Sequence, residues 1–212
     1  MKILIYSDVH GNLPAFEKMI TLEKNVDGYI CLGDLVNYGP WSNECVDLAM
    51  SLPNSRVIKG NHEEAFIEGF YRGTNSLVQK FFNITFSNFQ RKESIESFLA
   101  ETILDKFICK HTIRDNYIYP DTQILLDNNY IIGHSHHQFE YKNNNFVLYN
   151  AGSVGQNRKY INESNYLIYD TDLKIIEMKS VWYNIDLVIN EMKYLSYPIE
   201  CINYYRNKLI KD

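Results

Sequence analysis

The chain is poor in the features that would let it fold without an ordinary core or sit in a membrane. It has only four cysteines, Cys31, Cys45, Cys109 and Cys201, widely spaced and with no C-x-x-C pair. That disfavours a disulfide framework or a cysteine-built zinc site. Cys31 and Cys109 lie inside apolar runs and read as buried free thiols. No apolar stretch reaches the ~18 residues that a membrane-spanning helix needs. The opening MKILIYSDVHG turns polar too early to hold the apolar segment of a secretory signal. A cytoplasmic location, with no membrane partner, is the expectation. Basic residues are also in deficit, 21 Lys and Arg against 26 Asp and Glu, a formal net charge of −5. A surface built for long polyanions is disfavoured, although a local basic cleft is not. There is no internal repeat, no linker and no low-complexity segment beyond local asparagine richness.

What is present suits one domain over residues 1–212, large enough to bury a core without staples. Ile3-Leu4-Ile5-Tyr6, Tyr29-Ile30-Cys31-Leu32 and Arg56-Val57-Ile58-Lys59 read as buried strands. Helices are expected between them, one from Leu13 with Pro14 in its first turn and one from Ser42 to Met50 with Ser42 as N-cap. This alternation means βαβ units and a parallel sheet. From about residue 64 to 105 the phenylalanines crowd at helical spacing with no clear strand. We read this as a small helical cap insertion, most of its aromatics serving to pack it; any exposed ones would mark a dimer surface. Strands are expected again at 106–110, 130–132, 139–142, 146–149, 166–169 and 175–181. A tight hairpin turn is expected at Asn143-Asn144-Asn145, and two short helices interrupted near Pro198 follow.

The strands end on the same kinds of group. Asp8-Val9-His10 ends the first, Gly33-Asp34 the second, and Gly60-Asn61-His62-Glu63 the third. His111 ends a fourth, and Gly133-His134-Ser135-His136 a fifth. In an open α/β sheet the carboxyl ends of the strands share one rim, where ligands bind. Five of the six histidines fall at these ends, with His137 adjacent and expected to face away. His134 and His136, alternating on an extended segment, would point to one side. Aspartate, imidazole and amide oxygen together suit divalent Mn, Fe, Co, Ni or Zn. A bridging carboxylate would hold two such ions about 3.5–4 Å apart, the spacing that activates water and clamps a phosphoryl group.

The ordered set Asp8-x-His10, Gly33-Asp34, Gly60-Asn61-His62-Glu63, His111 and Gly133-His134-x-His136 resembles the calcineurin-like metallophosphoesterases over most of the chain. Val36 to Cys45 and Asn150 to Arg158 are similar to stretches of a small bacterial phosphodiesterase-like subgroup. The resemblance implies a four-layer αββα sandwich with a mixed sheet core. It implies two divalent ions, manganese foremost, one held by Asp8, His10, Asp34 and His136 and the other by Asp34, Asn61, His111 and His134. It also implies hydrolysis of a phosphomonoester or phosphodiester by a metal-bridging hydroxide. Asp34, Asn61 and His62 would form the catalytic group, with His62 over the substrate.

Protein phosphatases of this superfamily carry arginine where Tyr38 stands here, and a planar guanidinium is hard to replace. That points away from them, while the net charge of −5 favours a small or nucleotide-type substrate. Arg114 is the best candidate for a phosphate contact, and Glu63 reads as support or helix start. Backbone N–H groups of Gly152 to Gly155 are a further candidate donor set beside a plain tight turn. The alternative is an inactive scaffold of the same fold that binds a protein partner. Either way a monomer or homodimer is expected.

Overall fold

The computed structural model describes residues 1–143 and 145–211. The chain begins with β1 (Lys2–Tyr6), α1 (Leu13–Leu22), β2 (Gly28–Cys31), α2 (Ser42–Ser51) and β3 (Ser55–Val57). Three helices follow, α3 (Asn61–Glu68), α4 (Ser76–Ser87) and α5 (Lys92–Glu96). Then come β4 (Glu101–Leu104), β5 (Phe107–Lys110), β6 (Asn129–Ile132), β7 (Gln138–Asn143) and β8 (Phe146–Ala151). The chain closes with β9 (Glu163–Asp170), β10 (Ile175–Trp182), α6 (Ile185–Tyr194) and α7 (Ile199–Arg206).

Two mixed five-stranded sheets result, in the orders β10-β9-β1-β2-β3 and β4-β5-β6-β8-β7. In the first, β1, β2 and β3 run parallel, as the βαβ pattern requires, and β9 closes antiparallel on the other side of β1. The second keeps a parallel centre, β5-β6-β8, between antiparallel edges.

β1 shows why the sheets stack. Its side chains alternate: Ile3 and Ile5 join the cluster between the sheets, with Ile30, Leu32, Phe107, Cys109 and Ile131. Leu4 and Tyr6 join the other cluster, against Phe16 and Met19 of α1 and Val46 of α2. Burying each such aliphatic side chain contributes about 1.5–3 kcal/mol. A strand buried on both faces is therefore fixed in register, because a one-residue slip would exchange the two sets. The outer face of the second sheet is covered by the irregular segment carrying Ile113, Ile118 and Leu126.

Some local expectations change. Glu101–Leu104 forms β4, paired antiparallel with β5, where only helix was anticipated. Its short polar alternation is masked by the phenylalanine-rich segment before it. Of the cap aromatics, Phe66, Phe81, Phe82 and Phe98 are buried, and Phe66 packs edge-on against Phe82, Phe86 and Phe89. They are packing residues, and Phe70 is the exposed one among those named. Ser42 does not cap α2; Trp41 holds that position, and the Ser42 hydroxyl accepts the Asn37 N–H at 3.1 Å. β7 and β8 form the anticipated hairpin, although its turn includes Asn144, outside the described residues. All four cysteines are buried free thiols. No helix among the described residues is long and apolar enough to cross a membrane.

Gly33, at the end of β2, has φ +107°, and a Cβ there would lie 2.6 Å from the Gly60 nitrogen. Gly33→Ala combines a forbidden backbone angle with a backbone clash. It should lower the urea-unfolding free energy by about 2–4 kcal/mol. A loss below ~0.5 kcal/mol, the scale of an ordinary surface substitution, would show that the turn is not under this constraint.

Candidate metal centre

The ends of β1, β2, β5 and β6 are zipped together by backbone hydrogen bonds beyond the strands themselves. Asp8 N–H donates to Gly33 O at 3.0 Å, His10 N–H to Asp34 O at 2.9 Å, and Gly133 N–H to His111 O at 3.0 Å. Within this rim Asp8, His10, Asp34, His134 and His136 all take positive φ, between 51° and 69°. Left-handed residues other than glycine are costly and gather where the surrounding structure forces a side chain into place. His134 and His136 are therefore not alternate residues of an extended strand, as the spacing suggested. Each sits on its own turn, and they point into different clusters.

Asp8, His10 and His136 offer ligand atoms all within 4.8 Å of one another, and so do Asp34, His111 and His134. Asp34 also groups with His10 and His62. The Asp34 carboxylate explains the sharing. Its Oδ1 accepts the His62 backbone N–H at 2.9 Å, while Oδ2 stands 3.8 Å from His10 Nε2 and 3.3 Å from His111 Nε2. Asp8 is built alike: Oδ2 accepts the His134 N–H at 2.9 Å, and Oδ1 faces His136 Nε2 at 3.1 Å. Asn61 adds its Oδ1 at 3.0 Å from His111 Nε2.

The protonation pattern is fixed from behind. His10 Nδ1 meets Val36 O at 3.1 Å, His111 Nδ1 meets Leu32 O at 2.9 Å, and His136 Nδ1 meets Gln156 O at 2.9 Å. A carbonyl only accepts, so each Nδ1 carries hydrogen and each neutral ring turns an Nε2 lone pair to the centre. His10 Nε2 and His136 Nε2 then face each other at 3.2 Å, and His111 Nε2 faces His134 Nδ1 at 3.0 Å. Asp8 Oδ1, fully buried, has no hydrogen-bond partner. Lone pairs and carboxylate oxygens this close call for positive charge between them, supplied in the metal-free chain by the proton that Asp34 holds on His111 and, when loaded, by metal cations. The donor set therefore fits two divalent ions.

Residues 1–189 match the family of calcineurin-like phosphoesterases. The chain belongs to that family. It is 31% identical to the uncharacterised protein MJ0912 of Methanocaldococcus jannaschii, over 85% of this chain and 87% of that one. Its fold superposes on a metallophosphoesterase from Sphaerobacter thermophilus with a TM-score of 0.80 at 24% identity, covering 97% and 99% of the two chains. The hypothetical protein PH1004 from Pyrococcus horikoshii OT3 gives 0.80 at 13% identity, covering 96% and 97%. Among the described residues, two mixed sheets and seven helices in this arrangement are the metallophosphoesterase fold.

Against that phosphoesterase frame, two residues gain roles that their sequence positions left open. Glu63 is fully buried, and its carboxylate collects the N–H groups of Asp34, Leu35, Val36 and Gly60 at 2.7–3.2 Å. It fastens the Asp34 turn to the start of α3. Asn37, buried at φ 74°, accepts the Tyr38 N–H through Oδ1 at 2.7 Å, so its amide nitrogen faces His62 Nδ1 at 2.9 Å. An amide nitrogen only donates. His62 is thus held with hydrogen on Nε2, the nitrogen left free of Asn37. The hint in sequence was a polar Asn37 inside an otherwise apolar Leu35-to-Tyr38 stretch. Tyr38 packs against the rings of His10 and His62, at 4.8 and 5.5 Å.

Other candidates fall outside the cluster. The Arg114 side chain is 82% exposed and pairs with Asp127 at 3.7 Å. His137 turns away, its Nδ1 on Ser135 O at 2.7 Å. In the Gly152-to-Gly155 stretch, Val154 N–H and Gly155 N–H are spent on Ser7 O and Asp8 O, each at 3.0 Å. Those two bonds clamp the end of β1, as does Ser153 Oγ on Asp8 O at 2.7 Å. Arg158, just beyond, is exposed and donates at 3.4 Å to the hydroxyl of Tyr204, whose ring lies 6.2 Å from that of Tyr38.

Burial pushes His62 down to about 3 and His134 and His136 down to about 4. Burial also opposes charge on His111, but Asp34 outweighs it and lifts the imidazole to about 10. Burial, then Asp34, raises Glu63 to about 7 despite its N–H partners. The three lowered histidines are protonated in the unfolded chain before the folded one. Their contribution is present above about 6.5 and lost as pH falls through about 4. Glu63 runs the other way, its contribution present below about 4.5 and lost as pH rises through about 7. His111, raised, also runs with Glu63, but its contribution changes mainly above about 6.5, so below that the three lowered histidines outweigh Glu63. The urea stability of the metal-stripped chain should fall between pH 6.5 and 4.5, by roughly 1–3 kcal/mol per pH unit at the steepest. His134→Gln should flatten that slope. A stability that holds level or rises over this interval would contradict the assignment.

Proposed function

We propose that the chain is a two-metal phosphoester hydrolase acting on small or nucleotide-type phosphomonoesters or diesters. The observation that carries this reading is Asp34: one carboxylate oxygen is pinned by the His62 N–H, and the other stands between His10 Nε2 and His111 Nε2. Asp8, His10, Asp34 and His136 would hold one ion; Asp34, Asn61, His111 and His134 the other. Two divalent ions there, manganese the first to test, would supply an ionised water near neutral pH and neutralise charge on the phosphoryl group.

The chain's own groups account for the rest. The Nε2 lone pairs of His10, His111 and His136 are aimed without rearrangement, because the carbonyls behind them fix the rings. His62, with hydrogen on Nε2, donates to the phosphoryl or leaving oxygen, and Asn37 holds the ring in that tautomer. Arg158, whose guanidinium reaches the Tyr204 hydroxyl at 3.4 Å next to Tyr38, is a second candidate for a phosphate contact beside Arg114. A single small substrate rather than a long nucleic acid fits the net charge of −5. The complete donor set favours catalysis over a scaffold role, which has no use for paired lone-pair clusters.

A hydrolysis screen over divalent metals against monoesters, diesters, nucleotides and oligonucleotides tests the proposal. Turnover should require a transition-metal ion, and Asp34→Asn should abolish it. His62→Ala should cost about 10²–10⁴-fold in kcat, most on substrates with poor leaving groups. No turnover with any metal, or full activity in Asp34→Asn, would sink it.

A further inference from the structure

The mouth of the metal cluster carries an aromatic surface that neither packing nor phosphoryl chemistry uses. Residues 116–119 run in an irregular segment after His111, anchored by Ile118, 2% exposed in the cluster on the outer face of the second sheet. Tyr117 and Tyr119 flank that anchor and remain 54% and 40% exposed. Their rings are parallel, 11° apart with centroids at 6.1 Å. Tyr117 lies directly on the ring of His134, centroids 4.0 Å apart. Tyr117 therefore lies over a metal-ligand imidazole at a tilt of 31°, and Tyr119, parallel to it, is held edge-on against His137 at 5.6 Å. The tail of Tyr119 is tethered too, its N–H donating to Thr122 Oγ1 at 2.9 Å.

Leaving two large rings in water next to a polar site is a cost unless a ligand covers them. We propose that Tyr117 and Tyr119 form a stacking platform for the base of a nucleoside phosphoester. The proposal rests on the phosphoesterase reading above and names its substrate class. The geometry selects a nucleotide over a simple aryl phosphate. In an aryl ester the ring hangs directly on the phosphoryl oxygen, whereas a nucleotide sets its base a sugar's length away. The second ring of the platform stands a further 6.1 Å out from the one that touches His134. Base–aromatic stacking needs no hydrogen-bond readout, so adenine and other bases would be accepted alike.

The test compares a matched pair of phosphonates in which a methylene replaces the ester oxygen, one the analogue of AMP and one of ribose 5-phosphate. Neither is hydrolysed, so calorimetric titration into the Mn²⁺-loaded chain reads binding apart from turnover. The adenosine analogue should bind at least tenfold tighter, and the ratio should collapse towards one in Tyr117→Ala and in Tyr119→Ala while Tyr117→Phe keeps it. Equal affinity for the pair would overturn the platform even if hydrolysis is found. So would Tyr117→Ala and Tyr119→Ala weakening both ligands together, which would make the rings mere supports of His134. A base-dependent affinity in a chain without turnover would support the platform and count only against hydrolysis.

Discussion

Everything at the rim of this fold follows from imidazole lone pairs that are forced to face one another. Three backbone carbonyls, of Leu32, Val36 and Gln156, take the Nδ1 hydrogens of His111, His10 and His136. The Nε2 atoms are left converging on carboxylate oxygens at 3.1–3.8 Å. In a site buried this deeply such an arrangement is repulsive by itself, and a cation turns it into coordination. The left-handed turns at Asp8, Asp34, His134 and His136 are the backbone cost of holding it.

The two halves of the centre are also cross-wired. Asp8 belongs to the first cluster yet accepts the backbone N–H of His134, a member of the second. Asp34 belongs to the second, groups also with His10 of the first, and accepts the N–H of His62. Glu63 ties Asp34, Leu35, Val36 and Gly60 to one carboxylate. A small displacement of any one strand end would thus be felt at both metal positions, which is the preorganisation that metal chemistry demands. The sandwich core beneath supplies the rigidity: β1 is locked by alternate side chains into two separate clusters, and its end carries Asp8 and His10.

Much of this was legible in the sequence. The apolar runs ending on Asp8, Asp34, Asn61, His111 and His134 revealed both the strands and the rim, because a buried strand and a metal ligand have opposite polarities and their junction is sharp. Less legible was whatever depends on a neighbour distant in sequence. Glu63 read as support or helix start, and what it supports was hidden, since nothing local shows that the N–H groups of residues 34 to 36 join that of Gly60 on it. Asn37 drew no assignment of its own, because its partners His62 and Thr85 lie 25 and 48 positions away. Arg114 was singled out by proximity to His111, but a left-handed turn at residues 114 and 115 sends it to Asp127. β4 was hidden because four residues pair only once β5 is beside them.

In the proposed centre, Asp34 joins two ions into one site. Electron paramagnetic resonance of the Mn²⁺-loaded chain, with metal content measured on the same sample, reads this most directly. The account predicts two manganese ions per chain and the exchange-coupled spectrum of a carboxylate-bridged pair, converting in Asp34→Asn to the signal of isolated ions or to none. One ion per chain, or two that remain magnetically independent in the wild type, would contradict it.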